Sequence, residues 1–236
     1  MMPMSRIAII PARGGSKRIP RKNIKNFLGK PIISYSIESA IQSNLFDEIM
    51  VSTDDKEIAA ISKDFGAKVP FYRSIKNASD HATTIDVITE VISNYEKRGR
   101  LFEKGCCLYP AAPFTTSEKL ISFFSKLEEG NFDCVFPVLK YSHPIQRALK
   151  LNKDGKIDIL NPEHIFTRTQ DLEITYHDAG QFYVFDIRAL VSQHKLWTPN
   201  TASVAIDEMN AQDIDYEEDW EIAEFKYTYL KERNLI

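Results

Sequence analysis

Short apolar runs alternate with amphipathic stretches along the first two thirds of the chain. The apolar runs have the length and residue content of buried strands, and they cover residues 6–10, 48–53, 68–72, 105–109 and 134–139. Between them, apolar residues recur at helical spacing over residues 31–43, 55–65, 84–98 and 117–129. This alternation predicts an α/β fold in which helices flank both faces of a mainly parallel sheet.

The alternation changes near residue 141. Residues 147–151 and 156–160 are predicted to form a hairpin, because Asp-Gly at 154–155 suits the positive φ values of a tight turn. We interpret residues 141–175 as an arm inserted into a single domain that spans residues 1–236. Beyond the arm, the pattern predicts a strand over 181–186, a short helix to about residue 194 and a charged amphipathic helix over 217–233.

The first apolar run leads directly into a glycine pair surrounded by cations. Gly14 and Gly15 can adopt positive φ and allow backbone amides to approach a ligand, while Arg13, Lys17 and Lys22 can neutralise several phosphate charges. The spacing fits neither the Walker A loop nor the Gly-x-Gly-x-x-Gly dinucleotide turn. A solvated basic loop or a localisation patch needs neither a preceding strand nor a glycine pair. The pattern therefore favours a loop that binds polyphosphate.

Composition narrows the class of protein. With 43% hydrophobic and 27% charged residues in 236 positions, the chain is typical of globular proteins with a sizeable core. A net charge of -3 argues against nucleic acid as the main partner. No run approaches the roughly 20 apolar residues of a membrane span, so we expect no membrane partner. Three cysteines in apolar runs favour buried, reduced thiols and a cytoplasmic location.

Two acidic pairs are candidates for further chemistry. Asp213 and Asp215 would project to one side of an extended segment, where two carboxylates can hold a hard divalent cation such as Mg²⁺. The same acids are also compatible with the entry of the acidic helix that follows, because negative charge favours a helix N-terminus. Asp54 and Asp55 follow the second strand, and a loop and N-cap role explains them equally well.

The run from Ile10 to Lys17, Ile-Pro-Ala-Arg-Gly-Gly-Ser-Lys, is followed after four residues by Lys22-Asn-Ile24. This combination resembles the signature of the CMP-sugar synthetases, the cytidylyltransferases that activate sialic-type acids with CTP. The resemblance implies a Rossmann-like nucleotidyltransferase fold, Mg²⁺ at Asp213 and Asp215, and catalytic cations at Arg13, Lys17 and Lys22. The nucleotide-binding residues that it implies are Ala12, Arg13, Gly14, Ser16, Asn23, Arg73, Ala82 and Thr84, the last three around the cytosine. Thr83 or Thr84 is also a candidate N-cap of the following helix.

Two later motifs separate this chain from the sialic acid enzymes. The sequences Tyr-Pro-Ala-Ala-Pro at 109–113 and Tyr-His-Asp-Ala-Gly-Gln-Phe-Tyr at 176–183 resemble the cytidylyltransferases that act on pseudaminic acid for bacterial surface glycosylation. The candidate sugar contacts are Tyr109, His177, Gln181, Phe182 and Tyr183. Arg147 or Arg168 is expected to pair with the substrate carboxylate. The resemblance also implies a homodimer in which the arm reaches the neighbouring active site. Phe182 and Tyr183 are equally compatible with strand core.

Several alternatives stay open at this stage. Within the same enzyme class, the acid could be N-acetylneuraminic, legionaminic or 3-deoxy-manno-octulosonic acid. A regulatory protein that binds a nucleotide without catalysis is an alternative of another class, and the paired Asp213 and Asp215 argue against it. A nucleic-acid-binding module would bind polynucleotides in a strongly salt-dependent way, and the acidic net charge disfavours it.

Overall fold

A computed structural model describes residues 5–236. The strands are β1 (Arg6–Pro11), β2 (Asn26–Phe27), β3 (Lys30–Pro31), β4 (Glu48–Ser52), β5 (Lys104–Leu108), β6 (Cys134–Lys140), β7 (Leu149–Leu151), β8 (Ile157–Ile159), β9 (Tyr176–Asp178), β10 (Phe182–Asp186) and β11 (Thr201–Ala205). The helices are α1 (Ile32–Gln42), α2 (Lys56–Asp64), α3 (Ile75–Ala78), α4 (Thr84–Glu96), α5 (Ser117–Glu129), α6 (Ile187–Gln193) and α7 (Glu217–Glu232).

Seven of these strands form the central sheet, in the order β11-β6-β10-β5-β1-β4, with β9 also paired to β6. The strands β4, β1 and β5 are mutually parallel, and β11 is parallel to β6. Only β10 and β9 run in the opposite direction. The carboxyl ends of five strands therefore meet at one edge of the sheet, which is where ligands bind in open α/β folds.

Alternate residues of β1 show how the sheet divides the core. Ala8 and Ile10 pack with apolar residues of α1, α2 and α5, whereas Ile7 and Ile9 pack with those of α4 and α6. All four are fully buried, as expected of a central strand covered on both faces. A third cluster, around Phe27 and Trp220, attaches α7 to the segment that follows the basic loop. The predicted mainly parallel α/β fold is thus confirmed.

The strand predicted over residues 68–72 is wrong. Lys68 makes a single bridge to Met50, in which its N–H donates to the Ile49 carbonyl and its carbonyl accepts from Val51 N–H. Pro70 has no N–H and cannot continue such a ladder. The pattern also missed the short strands β2, β3 and β9, strand β11 and the short helix α3.

The segment 141–175 leaves the sheet after β6 and returns through β9. Within it, β7 and β8 form the predicted hairpin, with Leu149 opposite Ile159. Its turn is closed by the Asn152 side chain, whose Oδ1 accepts hydrogen bonds from the N–H groups of Asp154 and Lys156. Many apolar side chains of this segment are exposed. No helix within residues 5–236 is both long and apolar enough to cross a bilayer.

Glu48 at the start of β4 is a buried carboxylate that ties three segments together. It accepts hydrogen bonds from Lys68 Nζ at 2.9 Å, Arg100 Nη1 at 2.5 Å and Tyr95 Oη at 2.9 Å. Burial by itself raises the pKa of Glu48, but the hydrogen bonds from Lys68, Arg100 and Tyr95 outweigh it and hold this pKa below the usual glutamate value. The ionised form is therefore the one that stabilises the fold.

We expect Glu48→Gln to lower the free energy of unfolding at pH 7 by about 1–3 kcal/mol, because the buried donors lose a charged acceptor. Since the pKa is depressed in the folded state, this contribution is complete above the unfolded-state value and disappears as the pH falls through the folded one. Urea unfolding at pH 7 and at about pH 3 would measure both effects. Glu38→Gln, which breaks a half-buried pair with Lys30 outside the Glu48 cluster, is the matched control. An equal loss of stability for Glu48→Gln at the two pH values would contradict the assignment.

Candidate active site

A cleft of about 440 Å³ opens at the carboxyl edge of the sheet. Its walls come from the loop after β1, the loop after β5 and the segment between β11 and α7. Its lining includes Arg13, Ser16, Lys17, Arg18, Lys22, Asn23, Tyr109, Gly180, Asp213 and Asp215. The structure thus brings together in one cavity the predicted basic loop and the predicted acidic pair, which lie about 200 residues apart in the chain.

The loop after β1 is held in place from several sides. Ala12 N–H donates to the Ser52 carbonyl at 2.9 Å, and the buried Asn23 donates through Nδ2 to the Arg13 carbonyl at 3.0 Å. Gly14 N–H donates to Asp54 Oδ1 at 3.0 Å. These contacts fix the path of the backbone before any ligand binds. Ala12 is fully buried and does not line the cleft, so the structure does not bring this predicted nucleotide-binding residue to its surface.

The reason for glycine in this loop differs from the predicted one. Neither Gly14 nor Gly15 has a positive φ. At Gly14 the constraint is space, because a Cβ there would lie 2.9 Å from Asp55 Oδ2 and 3.0 Å from Asp55 Cβ. Gly15 has no such neighbour. The first glycine therefore permits close packing of the loop against the start of α2.

Asp55 fixes the far end of the same loop. Its Oδ1 accepts from the N–H groups of Glu57 and Ile58, which makes it the N-cap of α2. Its carboxylate also pairs with the Arg21 guanidinium, at 2.5 Å and 3.1 Å. The bonds from Arg21, against a smaller opposing effect of burial, lower the pKa of Asp55 to about 2. The N-cap interpretation of Asp55 is confirmed, with the tether to Arg21 as an additional role.

The cations that line the cleft face carboxylates from distant segments. Asp80 pairs with Arg13 Nη1 at 2.7 Å and with Lys17 Nζ at 2.5 Å. Lys22 Nζ donates to the Ile214 carbonyl at 2.6 Å and lies 3.8 Å from Asp215 Oδ1. Burial lowers the pKa of Lys22 more than the neighbouring acids raise it. These side chains are therefore concentrated around a space of suitable size for a phosphate chain.

A second, smaller cleft of about 240 Å³ adjoins the first and shares Pro11, Arg13 and Tyr109 with it. Arg73, Ala82 and Thr84, the residues predicted to surround a base, all line this cleft. Thr83, rather than Thr84, caps α4 in a capping box with Asp86. Thr84 Oγ1 instead lies 3.2 Å from Tyr109 Oη.

Arg73 is the buried cation of the smaller cleft. It is 8% exposed, and it donates to Ser52 Oγ at 3.0 Å and to the Ser52 carbonyl at 2.5 Å. Within residues 5–236 it has no ion-pair partner. Burial lowers its pKa to about 10. A buried guanidinium without a carboxylate partner is well suited to bind neutral polar acceptors, such as the carbonyl group of a base.

The segment that carries Asp213 and Asp215 is anchored through its backbone. Lys226 Nζ donates to the carbonyls of Glu208 and Ala211, each at 2.9 Å. Lys119 Nζ, whose pKa is lowered to about 8 by burial, contacts the Asn210 carbonyl at 3.3 Å. These contacts were not predicted, because a lysine that binds carbonyl groups has no sequence signature.

The two carboxylates have different surroundings. Asp215 Oδ1 pairs with Arg18 Nη2 at 2.5 Å. The Asp213 carboxylate accepts no hydrogen bond from the described part of the chain, and burial together with the charge of Asp215 raises its pKa. Two carboxylates at one cleft offer the oxygen donors that a hard divalent ion prefers, and Asp215 would exchange its pair with Arg18 for such an ion. Within residues 5–236 no third acid, histidine or cysteine joins them. Arg18 was not predicted as part of the site.

The residues predicted to contact the sugar are divided by the structure. Tyr109 lines both clefts and packs edge to face on Tyr183, with ring centroids 5.8 Å apart. Burial raises the pKa of Tyr109 to about 12, so its hydroxyl is neutral at ordinary pH. Tyr183 is buried and donates to Asp178 Oδ2. His177 lines a separate cleft that it shares with Asp213.

Two of these candidates are buried and line neither cleft. Phe182 is fully buried against Phe123, with ring centroids 4.8 Å apart, so the geometry supports the strand-core alternative for it. Gln181 is 2% exposed, and its Nε2 donates to the Asn210 carbonyl at 2.6 Å. Gln181 therefore anchors the backbone of the segment that leads to Asp213 and Asp215. Alternation along β10 puts Phe182 and Tyr183 on opposite faces of the sheet.

Arg147 and Arg168 lie on the segment 141–175 and do not line either cleft. Arg168 Nε pairs with Asp171 Oδ2 at 2.7 Å, and Arg147 Nη1 lies 3.5 Å from Thr169 Oγ1. Both arginines are exposed. Within one chain, the structure does not bring them to the candidate site.

The comparisons with known proteins agree with this geometry. The profile of the family described as Cytidylyltransferase matches residues 7–235. The chain is 38% identical over 224 residues to a pseudaminic acid cytidylyltransferase of Campylobacter jejuni, covering 95% of this chain and 97% of that protein. It is 30% identical over 237 residues to a CMP-N,N'-diacetyllegionaminic acid synthase of Legionella pneumophila, covering 98% and 99%.

A solved structure of a CMP:2-keto-3-deoxy-manno-octonic acid synthetase complexed with CTP superposes with a TM-score of 0.69 at 18% identity, covering 95% of this chain and 99% of that one. This likeness shows the Rossmann-like nucleotidyltransferase fold. The chain belongs to the cytidylyltransferase family, and it is a CTP-dependent nucleotidyltransferase. The resemblance found in its sequence motifs is confirmed.

Proposed function

We propose that this protein activates pseudaminic acid with CTP to give the CMP-sugar and pyrophosphate. The observation that carries the proposal is the continuity of the two clefts, which places a base-sized pocket next to a loop rich in cations and a pair of carboxylates. The choice of acid is supported by the 38% identity to the Campylobacter jejuni pseudaminic acid cytidylyltransferase over nearly the whole of both chains.

The nucleotide is proposed to bind across both clefts. Arg73, Ala82 and Thr84 surround the base in the smaller cleft. The phosphate chain lies in the larger cleft, where Arg13, Lys17 and Lys22 offset its charge. Ser16 supplies a small, polar contact at the turn of the loop, whereas Gly14 lines neither cleft and its N–H is held by Asp54. Arg13 lines both clefts, which suits it to contact the α-phosphate, because this group lies between the base and the pyrophosphate.

In the proposed reaction, the anomeric hydroxyl oxygen of the acid forms a bond to the α-phosphorus of CTP. The bond from that phosphorus to the oxygen bridging to the β-phosphate breaks, pyrophosphate leaves and the hydroxyl proton is released. Lys17 and Lys22 stabilise the negative charge that develops on the leaving group. Asp213 and Asp215 would hold Mg²⁺, which supplies further positive charge at the phosphate oxygens when bound.

The sugar acid is proposed to enter beside Tyr109, with His177 in the separate cleft that also borders Asp213. The phenol of Tyr109 is neutral and faces the junction of the clefts, where it can pack against a methyl group and donate a hydrogen bond. Gln181 and Tyr183 do not contact the sugar in this proposal. They hold neighbouring segments in place through hydrogen bonds to Asn210 and Asp178. The likeness to the Legionella pneumophila synthase makes a legionaminic acid the second candidate substrate.

The protein is proposed to work as a homodimer through the arm, residues 141–175. The arm exposes a large amount of apolar surface: Phe166 is 96% exposed, Leu151 71% and Leu149 59%. Exposed apolar surface of this extent is typical of an interface. Because Arg147 and Arg168 lie on the arm and not at the clefts of their own chain, a second copy would bring them to its partner's sugar site.

The three cysteines are buried and unpaired, which is consistent with the cytoplasm, where CTP is available.

We expect pyrophosphate release from CTP and Mg²⁺ in the presence of pseudaminic acid, and much slower release with legionaminic, N-acetylneuraminic or 3-deoxy-manno-octulosonic acid. A coupled pyrophosphate assay over this panel would measure it. Preference for another acid would keep the reaction and change the substrate. Absence of release over the whole panel would contradict the proposed function.

Asp215→Asn is expected to lower turnover by roughly 100-fold or more while leaving the fold intact, because a neutral amide is a poor ligand for a hard cation. Circular dichroism would report the fold, and titration with Mn²⁺ followed by electron paramagnetic resonance would report metal binding. Glu217→Gln is the matched control. Glu217 is a nearby acid at the start of α7, and it pairs with Lys25. If the two variants had equal activity, Asp213 and Asp215 would have no role as metal ligands and would serve only at the N-terminus of α7.

We expect a dimer by light scattering, and a monomer after Leu151→Glu combined with Phe166→Glu, because charges on an apolar interface oppose its burial. Leu101→Glu serves as the control, since Leu101 is 72% exposed but lies outside the arm. It should remain dimeric. A monomeric wild-type protein would overturn the proposed assembly.

A further inference from the structure

Asp80 forms a bridge between two cations of the basic loop. Its Oδ1 accepts from Arg13 Nη1 at 2.7 Å, and its Oδ2 accepts from Lys17 Nζ at 2.5 Å. Asp80 lies between α3 and α4, 67 residues after Arg13. In the protein without a ligand, one carboxylate therefore forms ion pairs with both cations.

The position of this bridge follows from the two clefts. Asp80 lines the smaller cleft, Lys17 lines the larger one and Arg13 lines both. The bridge thus lies at their junction. If the proposed function is correct, a nucleotide must pass this junction, with its base on one side and its phosphate chain on the other.

A phosphate chain and the Asp80 carboxylate compete for the same donors. Hydrogen bonds from Lys17 and then from Arg13 keep the pKa of Asp80 below the usual aspartate value, so the carboxylate is charged at neutral pH. The three side chains are 35% (Arg13), 78% (Lys17) and 43% (Asp80) exposed, so the bridge is weak enough to be exchanged. An anion that takes over the cations leaves Asp80 without them and close to a like charge.

We propose that Asp80 is an internal competitor of the phosphate chain, which weakens the hold of the loop on pyrophosphate and takes back Arg13 and Lys17 when this product leaves. A bound nucleotide has additional contacts in the smaller cleft, which help it to displace Asp80. Pyrophosphate has no base and lacks these contacts. Asp80 therefore acts on product release and on inhibition by free polyphosphate. This inference rests on the proposed function of the two clefts.

The test is isothermal titration of the metal-free protein with pyrophosphate, comparing wild type with Asp80→Asn and Asp80→Ala. Both variants are expected to bind pyrophosphate roughly tenfold more tightly at low ionic strength, with a smaller difference at high salt. Cytidine has no phosphate, and because Asp80 also lines the smaller cleft, its titration measures the effect of each substitution on that cleft. The gain in pyrophosphate affinity should exceed any change in cytidine affinity. Glu38→Gln is the matched control, because it removes a carboxylate from an ion pair with Lys30 outside both clefts.

Unchanged or weaker pyrophosphate binding in both variants would overturn the inference, and weaker binding would mean that Asp80 orients the cations for the ligand. Absence of pyrophosphate binding in wild type and variants would also overturn it. Circular dichroism would show that the variants are folded. The titration needs no turnover, so its outcome is separate from that of the sugar acid panel. In steady-state assays, the inhibition constant of pyrophosphate should fall in the same proportion.

Discussion

Repulsion within the basic loop is the constraint on which the rest of the site depends. Between the end of β1 and residue 25 the chain carries six cations: Arg13, Lys17, Arg18, Arg21, Lys22 and Lys25. Such a density of like charge disfavours a compact loop unless anions are close by. In the described chain, the anions come from segments far away in sequence, namely Asp55, Glu57, Asp80, Asp215 and Glu217.

These ion pairs differ in how firmly they are held. Arg21 binds a carboxylate that also caps α2, so this contact ties the loop permanently to the body of the protein. The pairs of Asp80 and Asp215 are more exposed and face the cleft. A ligand with phosphate groups and a cation can exchange with both of them without disturbing the tether at Arg21. The loop therefore combines a fixed backbone with side chains that are available for a ligand.

The predicted elements were most accurate where local periodicity carries the information. Strands β1, β5 and β6 and the longer helices of the first two thirds have apolar residues at the spacing that their burial requires. The segment 68–72 misled the prediction because its apolar residues suggested a strand, while Pro70 removes a donor. Strand β11 was missed because its residues are small and half-exposed, and only pairing with β6 makes it a strand.

The class of fold, the strand that leads into a cationic glycine loop and the family motifs could be recognised before folding was considered, because each is encoded in residues that are close together in the chain. The sequence also indicated Asp213 and Asp215 as a pair. The folded chain was needed to show which carboxylate meets which cation, and that Phe182 and Gln181 are buried away from both clefts. Contacts such as those between Arg13 and Asp80 and between Arg18 and Asp215 depend on strand order and loop paths, which no local pattern records.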